Sequence, residues 1–146
     1  MLKVLIVEDD LLIAAMCQQT LIRAGYEVCG IARTVTDAVD KALRHIPDLA
    51  LIDVGLGRGG QGTDIPAKLH ALRDLGVLYC TGNASKTLMT GATGHGWLSK
   101  PYDNVTLLRA LKIVSEMVMT GTVSRPLPYG FQTIMGRNQS VGHPAP

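Results

Sequence analysis

The sequence predicts a doubly wound α/β domain, in which helices cover both faces of a five-stranded parallel sheet. Five short apolar segments alternate with segments whose apolar residues recur at helical spacing, and such connections are right-handed crossovers. Residues 49–53 are apolar until their final aspartate, as in a strand buried on both faces. A chain of 146 residues, 47% of them hydrophobic, is long enough to bury one such core.

The first strand and the first helix begin the chain. Residues 2–7 are almost entirely apolar and predict a strand. Glu8, Asp9 and Asp10 follow, and carboxylates favour the start of a helix, where we expect Asp10 to act as the cap. Gly25 ends this helix. The helix face expected to be buried carries Ile13, Met16 or Cys17, Thr20 or Leu21, and Ala24.

A capped helix connects the second and third strands. Residues 26–32 predict the second strand. Thr34 and Asp37 then have the spacing of a helix cap with an acidic third residue, and Pro47 stops the helix. The third strand, residues 49–53, ends in Asp53. The buried stripe of the helix is expected to consist of Ala38, Ala42 and Ile46.

The second half of the chain predicts two further strands and three further helices. A glycine-rich loop, residues 55–62, leads to a third helix that is capped by Thr63 or Asp64 and ends at Gly76. Residues 77–80 predict the fourth strand, after which residues 83–94 are rich in threonine and glycine. We therefore expect a short or mobile fourth helix there. The fifth strand is 96–99, and the last helix is capped by Asp103 and carries the stripe Leu107, Leu111, Val114 and Val118.

The composition of the chain changes at Gly121. The last 26 residues hold four of the seven prolines and no acidic residue. We therefore divide the chain into a domain of residues 1–120 and a tail of residues 121–146 that we expect to be flexible. The tail also contains apolar residues that could instead dock on the domain or on a partner: Leu127, Tyr129, Phe131, Ile134 and Met135.

The composition excludes several classes of protein. A formal net charge of +2 gives no argument for nucleic-acid binding, and no apolar run is long enough to span a membrane. The start of the chain leads directly into a strand pattern rather than a signal peptide. Cys17, Cys29 and Cys80 lack zinc or disulfide spacing, so we expect reduced thiols in a cytoplasmic protein.

Four of the five predicted strands end at a charged or hydroxyl-bearing residue. These are residues 8–10, Asp53, Thr81 and Lys100, and the topology brings them to one edge of the sheet. Carboxylates that lie close together repel one another unless a cation lies among them, and oxygen ligands of this kind suit Mg²⁺. A lysine and a hydroxyl beside them would complete a site for a phosphoryl group.

A different function is suggested by Gly57, Gly59 and Gly62, whose spacing matches a dinucleotide-binding loop between a strand and a helix. The context disfavours it, because this loop follows the third strand rather than the first. Asp64 and Asp74 also lie too close to be the acid that binds the ribose.

The polar residues at the strand ends, in this order, resemble the receiver domain of two-component response regulators. The resemblance covers about residues 1–120 and implies a flavodoxin-like (βα)5 fold with strand order 2-1-3-4-5 and a stand-alone signalling module. It rests on four motifs, which are Val7-Glu8-Asp9-Asp10, residues 47–53, Thr81-Gly82 and Lys100-Pro101-Tyr102.

The resemblance implies a role for each of the acidic residues. Asp53 would accept a phosphoryl group from a phosphohistidine and form an acyl phosphate. Glu8 and Asp9 would hold Mg²⁺ together with Asp53 and the backbone carbonyl of Gly55, where any residue can supply a carbonyl. Asp10 is expected to cap the helix rather than bind the metal ion.

The resemblance also implies how the state of the site is read out. Thr81 would donate a hydrogen bond to the phosphoryl oxygens, and Lys100 would pair with them. Trp97 occupies the aromatic switch position, which moves inward when the threonine is drawn to the phosphoryl group. The implied partners are a sensor histidine kinase or phosphotransfer protein and an unidentified downstream protein. We expect no DNA-binding domain, no membrane association, and a monomer or weak homodimer.

Two departures from the family pattern bear on the output. Gly57 stands four residues after Asp53, where such families usually carry a proline, so the loop is expected to be looser than usual. The interval from Thr81 to Lys100 is also short, which removes length from the fourth helix. That helix belongs to the signalling face in many receivers.

Two other functions remain open from the sequence. The domain could be a scaffold that binds partners independently of phosphorylation, although the intact acidic set argues against this. It could also be an aspartyl-nucleophile phosphohydrolase, similar to haloacid-dehalogenase-like enzymes. Those enzymes place a second aspartate two residues after the nucleophile, where this chain has Gly55. We therefore expect a phosphoacceptor with weak autophosphatase activity rather than a conventional enzyme.

Overall fold

The computed structural model describes residues 1–69, 72, 74–82 and 92–134, and it confirms the predicted doubly wound α/β fold. The strands are β1 (Lys3–Val7), β2 (Glu27–Ala32), β3 (Leu49–Asp53), β4 (Gly76–Thr81), β5 (Gly96–Ser99) and β6 (Phe131–Thr133). The first five are parallel in the predicted order β2-β1-β3-β4-β5. β6 extends the sheet beyond β5 and is antiparallel to it.

The three α-helices of the described residues begin at the predicted caps. They are α1 (Leu11–Arg23), α2 (Val35–His45) and α3 (Asn104–Thr120). The Asp10 carboxylate accepts hydrogen bonds from two backbone N–H groups of the first turn of α1. The Thr34 hydroxyl and the Asp103 carboxylate each accept one from the backbone N–H three residues later, at 3.0 and 2.8 Å.

The third helix is not the predicted α-helix. Its described residues instead form 3₁₀ turns at Gly62–Asp64 and Pro66–Leu69, preceded by another at Gly57–Gly59. Pro66 has no N–H that could reach back to the Gly62 carbonyl, and the Ile65 N–H binds that carbonyl instead at 3.2 Å. The prediction of a fourth helix over 83–94 falls mainly on residues 83–91, which lie outside the described part of the chain.

The sheet separates two hydrophobic cores, because alternate residues of each strand point to opposite faces. The α2-side core contains Leu5, Val7, Ala38, Ile52, Tyr79 and Trp97. The core on the other face, which we call the α1–α3-side core, contains Val4, Ile6, Ala14, Leu107, Leu111 and Phe131. Strands β1, β3 and β4 are buried on both faces, as their continuous apolar sequences predict.

Several apolar residues predicted to be buried on helices are exposed. On α1, Ala14, Cys17 and Leu21 face the core, while Met16 is 62% exposed and Ile13 is 37% exposed. The buried face of α1 is therefore rotated by about one residue from the predicted one. Ile46 is 55% exposed because it is the left-handed cap of α2 rather than part of its stripe. None of the helices in the described residues has the length and hydropathy that crossing a membrane requires.

The C-terminal segment corrects the expectation of a flexible tail for residues 121–134. This segment is described in full and contributes β6, and its Phe131 and Ile134 are buried at 3% and 6% exposure. Two of the tail residues that could dock on the domain therefore do so. Residues 135–146, including Met135, lie outside the described residues.

The backbone of Gly62 approaches β3 so closely that no side chain fits there. A Cβ atom at this position would lie 2.2 Å from the Asp53 carbonyl oxygen and 2.7 Å from Ile52 Cγ2. We expect Gly62→Ala to lower the free energy of unfolding by about 2 kcal/mol or more, because the backbone must shift. Urea unfolding measures this loss. At Gly82 an added Cβ meets no atom within 4 Å, so Gly82→Ala is the control and should change stability by less than about 0.5 kcal/mol. Equal effects of the two substitutions would contradict the packing argument.

His95 makes the stability of the fold sensitive to acid. Its Nδ1 atom accepts a hydrogen bond from the Val77 N–H at 3.1 Å, and burial lowers its pKa below the ordinary 6.5. The unfolded chain therefore binds a proton before the folded state does. Stability is fully present above about pH 6.5 and falls as the pH drops toward the lower pKa of the folded state.

We expect His95→Asn to remove this acid sensitivity, since an amide oxygen can also accept from the Val77 N–H but does not titrate. The measurement is the free energy of unfolding in urea, for both proteins, from about pH 7.5 to about pH 5. A variant that loses as much stability as the wild type over this range would show that His95 is not the responsible group.

Candidate functional site

The ends of four parallel strands bring the predicted site residues together. Val7 pairs with Ile52 across β1 and β3, and Thr81 pairs with Ser99 across β4 and β5. Glu8 and Lys100 directly follow the first and last of these strands, and Asp53 is the last residue of β3. The side chains therefore lie at the edge of the sheet where open α/β folds bind their ligands.

Three carboxylates form the centre of the site. Glu8, Asp9 and Asp53 each offer an oxygen, and the three oxygens lie within 4.8 Å of one another. Glu8 is buried, whereas Asp9 and Asp53 are half-buried. The backbone N–H of Gly55 donates to Asp53 at 3.3 Å, and that of Asp10 donates to Glu8 at 3.2 Å. These bonds fix the side chains near one another despite their like charges.

One ammonium group faces these carboxylates. Lys100 Nζ lies 3.5 Å from Asp53 Oδ2 and 3.7 Å from Glu8 Oε2. Burial alone would lower the pKa of Lys100, but the carboxylates of Asp53 and Glu8 more than offset this and raise it. The lysine is therefore held in its charged form, and among the described residues it is the only cation within 4 Å of these carboxylates.

The remaining negative charge contributes to a raised pKa of Glu8. Burial, and next the charge of Asp53, raise the pKa of the Glu8 carboxyl to about 7 although Lys100 opposes them. A second cation among these oxygens would relieve the repulsion between them. A donor set of three carboxylates fits a hard divalent cation such as Mg²⁺, which takes oxygen ligands. The fold thus provides an acidic pocket whose donor set suits a divalent metal ion.

Thr81 belongs to β4, which pairs with the strand of Asp53, and Trp97 belongs to β5, the next strand beyond β4. Thr81 ends β4 with 4% exposure, and its carbonyl accepts a hydrogen bond from the Lys100 N–H at 2.9 Å. Trp97 lies on β5 opposite Tyr79 of β4, and at 6% exposure it is part of the α2-side core. The structure therefore places Thr81 at the site itself and Trp97 in the core beside it.

The glycine loop after β3 is anchored rather than open. The Gly62 N–H donates to the Val54 carbonyl at 2.8 Å, and a Cβ at Gly59 would lie 2.9 Å from the Arg33 carbonyl oxygen. A Gly57 φ of +58° places this residue in the left-handed region. The contacts of Gly59 and Gly62 therefore hold a loop that we expected to be loose.

Two neighbours of the site were not identified from the sequence. Arg33 Nη2 donates to the backbone carbonyl of Asp9 at 3.3 Å, which links the loop after β2 to an acidic residue of the site. The Tyr102 hydroxyl lies 3.9 Å from Cys17 Sγ and also bonds to Cys80, whose pKa burial raises to about 12. An isolated arginine in a loop carries no sequence signal, whereas Tyr102 is the last residue of the Lys100-Pro101-Tyr102 motif but was given no role from the sequence.

Comparison with known proteins establishes the family. The model of the response regulator receiver domain matches residues 4–112, and the chain belongs to this family. Its fold and its acidic pocket are thus those of a receiver domain of two-component systems.

Individual relatives agree with this assignment. The chain is 31% identical over 114 residues to the transcriptional regulatory protein PdtaR of Mycobacterium tuberculosis, covering 76% of this chain and 55% of PdtaR. It is 25% identical over 117 residues to the chemotaxis protein CheY of Thermotoga maritima, covering 78% of this chain and 98% of that protein. The alignment therefore spans only about half the length of PdtaR but nearly all of CheY.

A solved structure with a similar fold is the signal receiver domain of a modulated diguanylate cyclase from Desulfovibrio desulfuricans G20. The two structures superpose with a TM-score of 0.74 at 30% identity, covering 84% of this chain and 99% of that one.

The single ammonium group of the site should compete with a metal ion for the carboxylates. We expect Lys100→Met to lower the stability of the metal-free protein by about 1–2 kcal/mol, because it leaves the carboxylates of Glu8 and Asp53 without their cation. Added Mg²⁺ should then raise the Tm more than it does in the wild type. The exposed Lys68 offers a matched control, Lys68→Met. A response to Mg²⁺ that equals that of the wild type would show that the ammonium and the metal ion do not compete.

Proposed function

We propose that this protein is a phosphorylation-dependent signalling switch in which Asp53 accepts a phosphoryl group. The donor would be the phosphohistidine of a sensor histidine kinase or of a phosphotransfer protein, and the output would be a contact with a downstream protein. One observation carries the proposal: the Asp53 carboxylate lies beside Glu8 and Asp9 and 3.5 Å from the Lys100 ammonium. The first two supply a cation site, and the lysine supplies the charge that a transferred phosphoryl group requires.

The proposed reaction is a direct transfer to the carboxylate. A carboxylate oxygen of Asp53 attacks the phosphorus atom of the donor while the bond between phosphorus and the imidazole nitrogen breaks. The electron pair of that bond stays on the imidazole, which can then take up a proton. Lys100 would pair with the oxygens of the transferred group, because its ammonium already lies 3.5 Å from an oxygen of the Asp53 carboxylate.

Mg²⁺ fits this proposal as the second cation. Glu8, Asp9, Asp53 and the backbone carbonyl of Gly55 would hold it, and the clustering of three carboxylates supports this set. When bound, Mg²⁺ would neutralise charge on the transferred group and on the attacking carboxylate. Burial and the repulsion of Asp53 raise the pKa of Glu8, and a second cation among these carboxylates would lower it again.

The readout of the phosphorylated state would run through β4 and β5. The Thr81 hydroxyl would donate a hydrogen bond to a phosphoryl oxygen, as the resemblance to the family implies. Its position at the end of β4, the strand that pairs with that of Asp53, supports this role. Trp97, one strand away, would then keep its buried orientation. Phosphorylation would thus act by adding charge at one edge of the sheet and biasing an element with two arrangements. Slow loss of the phosphoryl group to water would give weak autophosphatase activity.

The proposal is tested by intact mass after incubation with acetyl phosphate and Mg²⁺. We expect the wild type to gain one phosphoryl group and Asp53→Asn to gain none, because the amide is not a nucleophile. Asp40→Asn changes a surface aspartate that pairs with Arg44 on α2 and should be labelled like the wild type. A chelator should prevent labelling.

A wild type that is folded, stabilised by Mg²⁺ and not labelled would contradict phosphoacceptor chemistry with small donors. Labelling that persists in Asp53→Asn would place the acceptor elsewhere.

A further inference from the structure

The C-terminal segment, residues 121–134, is fixed to the domain at several points. The Arg109 guanidinium on α3 donates to the Pro126 carbonyl at 2.9 Å, and the Ser124 hydroxyl donates to Glu116 at 2.5 Å. The backbone N–H of Ser99 donates to the Gly130 carbonyl at 2.9 Å. The segment therefore runs from the end of α3 back to the strand that carries Trp97.

β6 and the residue that follows it insert one side chain into each hydrophobic core. Phe131 pairs with Leu98 and enters the α1–α3-side core, whereas Ile134 enters the α2-side core. Gly96 makes room for the aromatic ring, since a Cβ there would lie 2.5 Å from Phe131 Cε2. The segment is thus held from both faces of the sheet at its edge.

Ile134 lies on the same face of the sheet as Trp97. The Ile134 N–H donates to the His95 carbonyl at 2.9 Å, which places Ile134 opposite His95 and diagonal to Trp97. Ile134 and Trp97 are both members of the α2-side core, at 6% exposure each. Gln132, which directly opposes Trp97, is exposed and gives it no apolar cover.

The same segment meets β5 next to the phosphoacceptor site. Ser99, which binds Gly130, is followed by Lys100, whose N–H binds the Thr81 carbonyl. β5 is therefore held by the C-terminal segment at both of its ends, beside Trp97 and beside Lys100. Without this segment β5 would be the edge of the sheet among the described strands, and the α2-side core would lose Ile134 on the face where Trp97 lies.

We propose that Ile134 is a positioning residue that keeps Trp97 buried before phosphorylation and so prepares the site for phosphoryl transfer. This rests on the proposed function of Asp53, Thr81 and Trp97. In the proposed switch, Trp97 is buried in the phosphorylated arrangement. A domain in which Trp97 is already buried therefore populates that arrangement before phosphorylation, and the transfer does not depend on a rare conformation. Loss of the Ile134 side chain makes the competent arrangement rarer and slows the transfer.

The experiment compares three full-length variants with the wild type: Ile134→Ala, the rescue variant Ile134→Val and the control Phe131→Leu. Phe131 lies three residues earlier in the same segment with similar burial but belongs to the opposite core. Trp97 is the only tryptophan of the chain, so its fluorescence reports its own surroundings. Acrylamide quenching of this fluorescence, the rate of labelling by acetyl phosphate, and Mg²⁺ affinity are measured on each protein, after circular dichroism shows that it is folded.

The proposal requires three results for Ile134→Ala: a red-shifted emission with stronger quenching, labelling that is several-fold slower, and an unchanged Mg²⁺ affinity. Ile134→Val should recover most of the rate, and Phe131→Leu should match the wild type in all three measurements. An unchanged Trp97 signal, or a changed signal with an unchanged rate, overturns the proposal while the wild type still labels. If Ile134→Ala does not fold, Ile134→Val is compared with the wild type instead, and the proposal then requires changes in the same direction but of smaller size. If the wild type does not label at all, the proposed function fails and this inference fails with it.

Discussion

The repulsion among three carboxylates at one edge of the sheet is the constraint to which this structure is adapted. Glu8, Asp9 and Asp53 lie within 4.8 Å of one another, and one of them is buried. Carboxylates at such distances repel one another unless a cation lies among them or one of them takes up a proton, and in the described part of the chain a single ammonium, that of Lys100, lies beside them. The donor set therefore fits an additional cation at this edge of the sheet.

The rest of the domain supports this arrangement from behind. β1, β3 and β4 are buried on both faces, so the backbone that carries the carboxylates is held by two cores. Gly62 brings the following loop into contact with the last residues of β3, where no larger residue fits. The backbone that carries the repelling carboxylates is therefore tightly packed and cannot easily move them apart. A bound cation would reduce their repulsion more readily than a movement of the sheet.

The sequence predicted the sheet and the site better than the helices that surround them. Continuous apolar strands and the polar residue at each strand end leave few alternatives, so β3, Asp53 and Lys100 could be placed correctly. The buried face of α1 was misjudged because apolar residues surround the helix, and Met16 is exposed while Ala14 is buried. The prediction of a third α-helix was wrong because helical spacing of apolar residues does not distinguish an α-helix from the 3₁₀ turns that the chain forms near Pro66. The C-terminal segment was misjudged because prolines outweighed the two residues, Phe131 and Ile134, that anchor it.

The Gly96 and Phe131 contact has a consequence for how the protein avoids joining its sheet to that of another molecule. The phenyl ring fits only over a residue without a side chain, so a slip of β6 by one residue would move the ring off Gly96 and onto the wrong face. The register of β6 is therefore locked. β6 is also only three residues long and is preceded by Pro126 and Pro128, so it offers a new chain very little backbone to pair with. β6 thus covers the edge of β5, and it is a short strand whose register is fixed by its own packing.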